Sequence, residues 1–295
     1  MKRLKKTGAL IVLSMVLCLA GCGDKERYQT DNVNGDASDL GDIQLCVREN
    51  GSGTRNEFEE YLDIESVVDG KDMYLEWEDI IIAEDSESVK AVIGTNASAI
   101  GYVSYGQLDD TMKALSVDNI ICSAESIESE AYPLTRDFSV AWSGQTNTLQ
   151  DDFLRYINGA GQDIVKEDYI AVNKSGTFLY DKEATGRLTI SGSSSVAPLI
   201  QELADSYMEI NPNAEISVIT SDSTQGLNDM LQGKYDFAMV SRDLESYERE
   251  LVEVNVFARD GIAVVVQKDN PINNVSKDQL KSIFTGELKS WSDVK

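Results

Sequence analysis

The sequence predicts an α/β fold, on three observations. Short β-rich runs alternate with stretches of helical periodicity, small polar turns separate them, and 42% of the 295 residues are apolar. That length and apolar content suit a globular chain of two ordinary domains. IQLCV (43–47), AIGYVSY (99–105), RLTIS (187–191), AEISVIT (214–220), YDFAMVS (235–241) and GIAVVVQ (261–267) read as strands, rich in β-branched and aromatic residues.

Helical patterns lie between these runs. In VAPLIQELADSY, residues Val196, Leu199, Ile200, Leu203 and Tyr207 form one apolar stripe, and Pro198 falls in the first turn, where it is tolerated. VSKDQLKSIF opens with a capping box, Ser276 with Gln279, and Val275 can staple onto Leu280. FLRYI (153–157) belongs to a further helix.

The N-terminus is a separate matter. MKRLKK is a basic region, TGALIVLSMVLCLAG is an apolar run too short for a comfortable membrane span, and Cys22 follows at once. Small residues before that cysteine resemble the lipobox of bacterial lipoproteins. The resemblance implies that 1–22 are a lipoprotein signal, cleaved before Cys22, and that the Cys22 thiol carries lipid. The chain would then sit on the extracellular face of the cell membrane; an uncleaved anchor would leave the rest outside as well. Residues 23–42, polar and rich in Gly, Asp and Asn, read as a flexible tether.

The formal charge is −25, and removing the signal takes four of the 26 basic residues and none of the 51 acidic ones, giving −29. Such a surface disfavours nucleic acid, which is bound by cationic neutralisation of phosphates. Of the remaining cysteines, Cys46 and Cys122 are either buried free thiols or one disulfide. The chain has no histidine, which removes Ser-His-Asp and Cys-His nucleophile pairs and the usual catalytic zinc sites. No cofactor or metal site is expected.

Three small-residue, hydroxyl-rich turns open helices. Gly51-Ser52-Gly53-Thr54 precedes Phe58, Tyr61 and Leu62; Ser191-Gly192-Ser193-Ser194-Ser195 precedes the Val196 stripe; Asp222-Ser223-Thr224-Gln225-Gly226 precedes Leu227, Met230 and Leu231. A helix N-terminus carries unpaired N–H groups and partial positive charge, so it attracts anions, and each such turn is otherwise an ordinary N-cap. Several converging N-termini, with Arg48 adding charge-assisted bonds, can hold an oxyanion inside an acidic protein. A P-loop is excluded because no G-x-x-x-x-G-K-[ST] is present, and a serine nucleophile because G-x-S-x-G and histidine are both absent.

SGSSSVAPLIQELADSY, DSTQGLNDMLQGKYDFAMVSRDL, DGIAVVVQKDNPINNVSKDQLKSIFTGELKSW and RENGSGTR, with AIGYVSYG, AYPLTRDF and FLRYINGAGQDIV, resemble the phosphate-binding protein (PstS type) of the phosphate ABC importer. The likeness covers essentially all of 43–295, but in a different order. In the family the GSSSV-like segment comes first; here the SGTR half leads. Moving 43–180 behind 295 restores the usual order, which reads as circular permutation with the joint near 177–186; a fragment of a tandem array is the other explanation.

The resemblance implies a type II periplasmic-binding-protein-like clamshell, circularly permuted. One lobe would combine 43–105 with 262–295, the other would run over 106–261, and strands near 103–107 and 258–264 would cross the hinge. By position, Arg48, Ser52, Gly53 and Thr54 match the family's Arg…Ser-Gly-Thr contacts, Ser194, Ser195 and Val196 its first loop, and Ser223 its second. Where the family often has an aspartate, this chain has Ser241-Arg242. An acceptor for the phosphate O–H is therefore expected elsewhere, at Asp260 first and Asp222 second, with a solvated or hinge-capping Asp260 as the alternative to a ligand. The function implied is a non-enzymatic, lipid-anchored receptor that captures inorganic phosphate and delivers it to an ABC permease with its ATPase. A surface sensor on the same fold, or a receptor for another tetrahedral oxyanion, is the alternative.

Overall fold

The structure, a computed structural model, describes residues 34–76 and 80–294. The signal and Cys22 lie outside the described residues. Among the described residues, fourteen strands run in chain order. They are β1 (Gln44–Arg48), β2 (Val67–Val68), β3 (Lys71–Asp72), β4 (Ile80–Ala83), β5 (Ala99–Ser104), β6 (Met112–Ala114) and β7 (Ser116–Val117). Then come β8 (Thr135–Trp142), β9 (Ile170–Ala171), β10 (Gly186–Ser193), β11 (Ala214–Ser221), β12 (Phe237–Val240), β13 (Glu253–Gln267) and β14 (Asn274–Val275).

Two parallel half-sheets share β13. In the first half, β1 lies between β4 and β5 in parallel, and β5 pairs antiparallel with Ile262–Val266 of β13. In the second, β10 lies between β11 and β12 in parallel, and β8 runs antiparallel between β12 and Glu253–Gly261 of β13. The apolar run at 261–267 therefore belongs to a strand that begins eight residues earlier, at Glu253. Its two ends serve different lobes.

Each half has its own core. Phe58, Tyr102 and Phe284 meet at the centre of the first, with the Phe58 and Tyr102 rings stacked 4.2 Å apart and Phe284 edge-on to Phe58. Phe153, Tyr156 and Tyr207 pack together in the second. The helix Ala197–Ile210 buries Leu199, Ile200, Leu203 and Tyr207, as its stripe requires, and Ser276 and Gln279 form the predicted capping box on Lys277–Phe284. The segment FLRYI lies in the helix Thr148–Ile157.

Two expected boundaries are corrected. Residues 106–134 do not belong to the second lobe: Met112, Leu115, Val117, Ile127, Tyr132 and Leu134 pack in the first core, and β6 pairs with the Val265–Gln267 end of β13. The chain thus crosses between lobes at 134–135 and again at 260–261, not near 103–107. The second half of the expected tether is also packed. Gly35 N–H donates to Pro271 O, Asn34 bonds Asn273 and Asn274, Ala37 is buried, and Ile43 N–H reaches Lys289 O. Cys46 and Cys122 are free and buried. Burial pushes the Cys46 thiol up to about 12 and the Cys122 thiol higher still. Among the described residues, no helix is long and apolar enough to cross a membrane.

Candidate functional site

The expected loops converge where the two lobes face each other. Arg48 ends β1, a parallel strand whose C-terminal end points at the cleft, and Tyr102 OH fixes its backbone by accepting Arg48 N–H. The next turn leads into the helix Gly53–Leu62, capped by Ser52, whose Oγ accepts Arg55 N–H. Beneath it Arg55 is wholly buried, gripping Asp72 with two bonds of 2.7 Å and also binding Glu59, Ser66 and the Arg48 carbonyl. Arg55 thereby locks the Arg48 turn onto its lobe.

The opposite wall comes from the second lobe. β10 ends at Ser193, and Ser194, Ser195 and Val196 lead into the helix Ala197–Ile210 with Val196 at its N-cap. Asp222 caps the helix Ser223–Leu231 by accepting Gln225 N–H, and Ser223 Oγ accepts Ser241 N–H from the end of β12. Both loops follow parallel strands, so their hydroxyls gather at one edge of the sheet, where such folds place ligands.

The two walls touch. Arg48 Nη2 donates to Ser194 Oγ at 2.9 Å, Thr54 Oγ1 lies 2.7 Å from Ser195 Oγ, and Thr224 Oγ1 donates to Gly51 O. Gly53 is packed so closely that a Cβ there would lie 2.6 Å from the hydroxyls of both Ser223 and Ser241. Gly51, at φ +96°, faces Asp222 in the same way, so glycine is required for conformation and for approach. Arg48, Ser52, Thr54, Ser194, Ser195, Val196, Ser223 and Ser241 are all buried.

Two expected site residues have other partners. Arg242 is held chiefly by Glu248, placing Nη1 and Nη2 on its two oxygens at 2.7 and 2.8 Å, and Nη2 also donates to Thr224 Oγ1 at 3.3 Å at the edge of the hydroxyl cluster. Asp260 sits on β13 where the chain crosses between lobes. Its Oδ2 accepts from Arg136 Nε and Nη2, and its Oδ1 from Ser104 Oγ and Tyr105 N–H. Four donors occupy the roughly four lone-pair sites of the carboxylate, so Asp260 is a hinge residue with no free acceptor capacity. Burial pushes the Asp260 carboxyl up and the Arg136 guanidinium down, and each supplies the counter-charge that keeps the other ionised.

Arg136 is the residue that sequence reasoning missed. From β8 it donates through Nη1 to Thr54 Oγ1 at 2.7 Å and to Ser241 O, which makes it a second arginine in the cleft. AYPLTRDF carries no local signal for this role, because the site that Arg136 serves is made by distant segments. Ser86, at the start of the helix Ser86–Thr95, was missed as well. Its Oγ accepts Arg48 Nη1 and lies 3.2 Å from Ser194 Oγ. Gln107 adds a bond from Nε2 to Ser194 O. A cavity of about 340 Å³ beside these groups is lined by Asp85, Ser86, Gln107, Ser194 and Gln201. A larger one, about 680 Å³, lies at the far end of β1 around Gln44, Ile80 and Lys289, away from the converging loops.

Two guanidinium groups and a ring of hydroxyls at helix N-termini, closed between two lobes, make an enclosure for a small oxyanion. Comparison with known proteins agrees with this geometry. The PBP superfamily domain matches residues 29–159 and 181–295. A protein named phosphate-binding protein PstS 2 from Streptococcus pneumoniae is 33% identical over 279 residues, 94% of each chain. Its namesake from Streptococcus agalactiae is 34% identical, covering 100% of this chain and 99% of its own. A solved structure of the phosphate-binding protein of a phosphate ABC transporter from S. pneumoniae superposes with a TM-score of 0.71 at 33% identity, covering 86% of this chain and 100% of that one.

Proposed function

The chain belongs to the PBP superfamily, and from that premise we propose that it is a solute-binding protein that captures inorganic phosphate between its lobes and delivers it to an ABC permease. The observation that carries the reading is the cross-lobe cradle, in which Arg48 and Thr54 of one lobe meet Ser194, Ser195 and Arg136 of the other. Phosphate entering there would take bonds from both guanidinium groups, from the hydroxyls of Thr54, Ser195, Ser223 and Ser241, and from the first N–H groups of the helices. Because these donors belong to both lobes, the ligand would hold the clamshell shut, and a permease can read the closed form as the loaded one.

The cradle acts as a receptor and not as an enzyme in this reading. The chain has no histidine, and the buried Asp260 is committed to Arg136, so neither supplies a general base to the cradle. Lipid attachment at Cys22 would place the receptor on the outer face of the membrane.

The order of segments belongs to the same proposal. The alignment with the S. pneumoniae relative runs through 94% of both chains, which supports a shared permuted order. The superfamily match also parts at 160–180, next to the proposed joint at 177–186. Calorimetric titration of the purified chain with phosphate tests the function. One-to-one binding is expected, and absence of binding heat and of competition would overturn it.

A further inference from the structure

We infer that Gln107 is the residue that distinguishes phosphate from an oxyanion without a proton, its Oε1 accepting the O–H of the bound phosphate. This rests on the phosphate reading above and names the acceptor on which that site depends. The observation is an unmatched atom. Among the described residues, the buried side-chain polar atoms without a hydrogen-bond partner are Gln107 Oε1 and Arg242 Nε, and of the two only Gln107 Oε1 can accept.

Gln107 ends the short helical turn Tyr105–Gln107 that follows β5, where Tyr105 N–H is held by Asp260 at the hinge. The residue is 6% exposed, and its Nε2 crosses to the other lobe to donate to Ser194 O at 3.3 Å. A carbonyl oxygen can only accept, so the NH2 end of the amide faces Ser194 and Oε1 is the end left over. Ser194 Oγ in turn lies 2.9 Å from Arg48 Nη2 and 3.2 Å from Ser86 Oγ. Ser86, Gln107 and Ser194 line the same cavity of about 340 Å³. The orphaned acceptor thus stands at the Arg48 end of the cradle.

A buried acceptor without a donor is costly, and folded proteins rarely keep one without a use. The nearby carboxylates are engaged: Asp260 takes four donors, and Glu49 places both oxygens on Arg48. An amide also accepts without adding negative charge beside an anion, in a chain that already carries −25. Phosphate keeps at least one proton at neutral pH and can offer it to Oε1. Sulfate has none, so it would set a lone pair against Oε1 and leave the acceptor unmet. A site that matches a ligand O–H rejects the analogue lacking it by roughly 10⁴-fold.

The test is calorimetry of the purified chain with phosphate and with sulfate, by direct titration or competition, on the parent, Gln107→Met and Gln107→Glu. Both variants lose the Nε2 bond to Ser194, and only Gln107→Glu keeps an acceptor oxygen. The parent should bind sulfate at least about a thousandfold more weakly than phosphate. In Gln107→Met that gap should shrink by about a hundredfold, through weaker phosphate and stronger sulfate, and Gln107→Glu should keep the larger gap of the two variants. A parent that binds the two anions alike, or a Gln107→Met protein that keeps the parent's full discrimination, would overturn the acceptor and leave the receptor standing. An equal loss of discrimination in both variants would assign the effect to the Ser194 contact and overturn the acceptor too. A parent that binds no phosphate would overturn the receptor reading and the acceptor with it.

Discussion

Arg136 Nη1 donates to Thr54 Oγ1 at 2.7 Å across the cleft, while its other two nitrogens are held by Asp260. One guanidinium thus joins the hinge strand β13, the second-lobe strand β8 and the first helix of the opposite lobe. Closure and hinge geometry are coupled through this side chain. Removing it should cost stability as well as binding: Arg136→Ala leaves a wholly buried Asp260 without its counter-charge, a loss of about 3–5 kcal/mol. The double variant Arg136→Ala/Asp260→Asn keeps an acceptor for Ser104 and Tyr105 and should recover at least about 1 kcal/mol of that. Urea unfolding of the two variants decides it, and equal stabilities would show that the pair is not the source of the loss.

Arg48 makes the complementary prediction about binding alone. Its guanidinium bonds Glu49 on the same turn and Ser86 and Ser194 around the cradle, so Arg48→Ala leaves no buried carboxylate stranded; Glu49 keeps about 20% exposure of its side chain. Phosphate affinity should fall by about 2–5 kcal/mol, with a melting temperature close to that of the parent protein. A loss of less than about tenfold by calorimetry would remove Arg48 from the site.

The loops at Arg48–Thr54, Ser194–Val196 and Ser223 were legible in the sequence because each is local. Turn, cap and helical stripe sit within a dozen residues, and likeness to a family adds the role. Arg136 and Ser86 were not legible, since each is an ordinary polar residue until strand order brings it to the cleft. Asp260 was noticed for its charge, but the choice between ligand and hinge cap was not legible, because the donors that fill it come from Ser104, Tyr105 and Arg136, far away in the chain. The lobe boundary failed for a related reason. The run at 261–267 reads as one short strand, whereas β13 begins at Glu253 and changes partner from β8 to β5 near Gly261. Pairing of that kind leaves no mark on local periodicity, so 106–134 were assigned to the wrong core.

Gly53 offers a test of closure itself. A methyl group there would meet the Ser223 and Ser241 hydroxyls at 2.6 Å, a contact that exists only when the lobes are together. Gly53 is the first residue of its helix, so alanine suits the local backbone. Gly53→Ala should therefore leave the fold intact and weaken phosphate binding by about 1–3 kcal/mol, the usual cost of overpacking. Small-angle scattering with saturating phosphate should show a more open particle than the parent. An unchanged affinity would mean that the cradle accommodates the methyl and that Gly53 is not a closure contact.

Glu57 predicts how closure responds to pH. From the helix Gly53–Leu62 it accepts Asp243 N–H of the other lobe at 2.6 Å. Burial pushes its carboxyl up, and the charges of Asp243 and Glu60 push the same way, against the Asp243 N–H and the Arg136 guanidinium. A raised value in the closed protein means that proton uptake favours that state. The stabilisation is fully present below the ordinary carboxyl value of the unfolded chain and is lost as pH rises through the raised folded value. Glu57→Gln keeps a carbonyl to accept the Asp243 N–H and has no proton to lose. Thermal melts of the two proteins across the mildly acidic range should therefore diverge, with the parent losing melting temperature relative to Glu57→Gln as the pH increases. Parallel curves would show that Glu57 titrates at its ordinary value and that the cross-lobe bond does not sense pH.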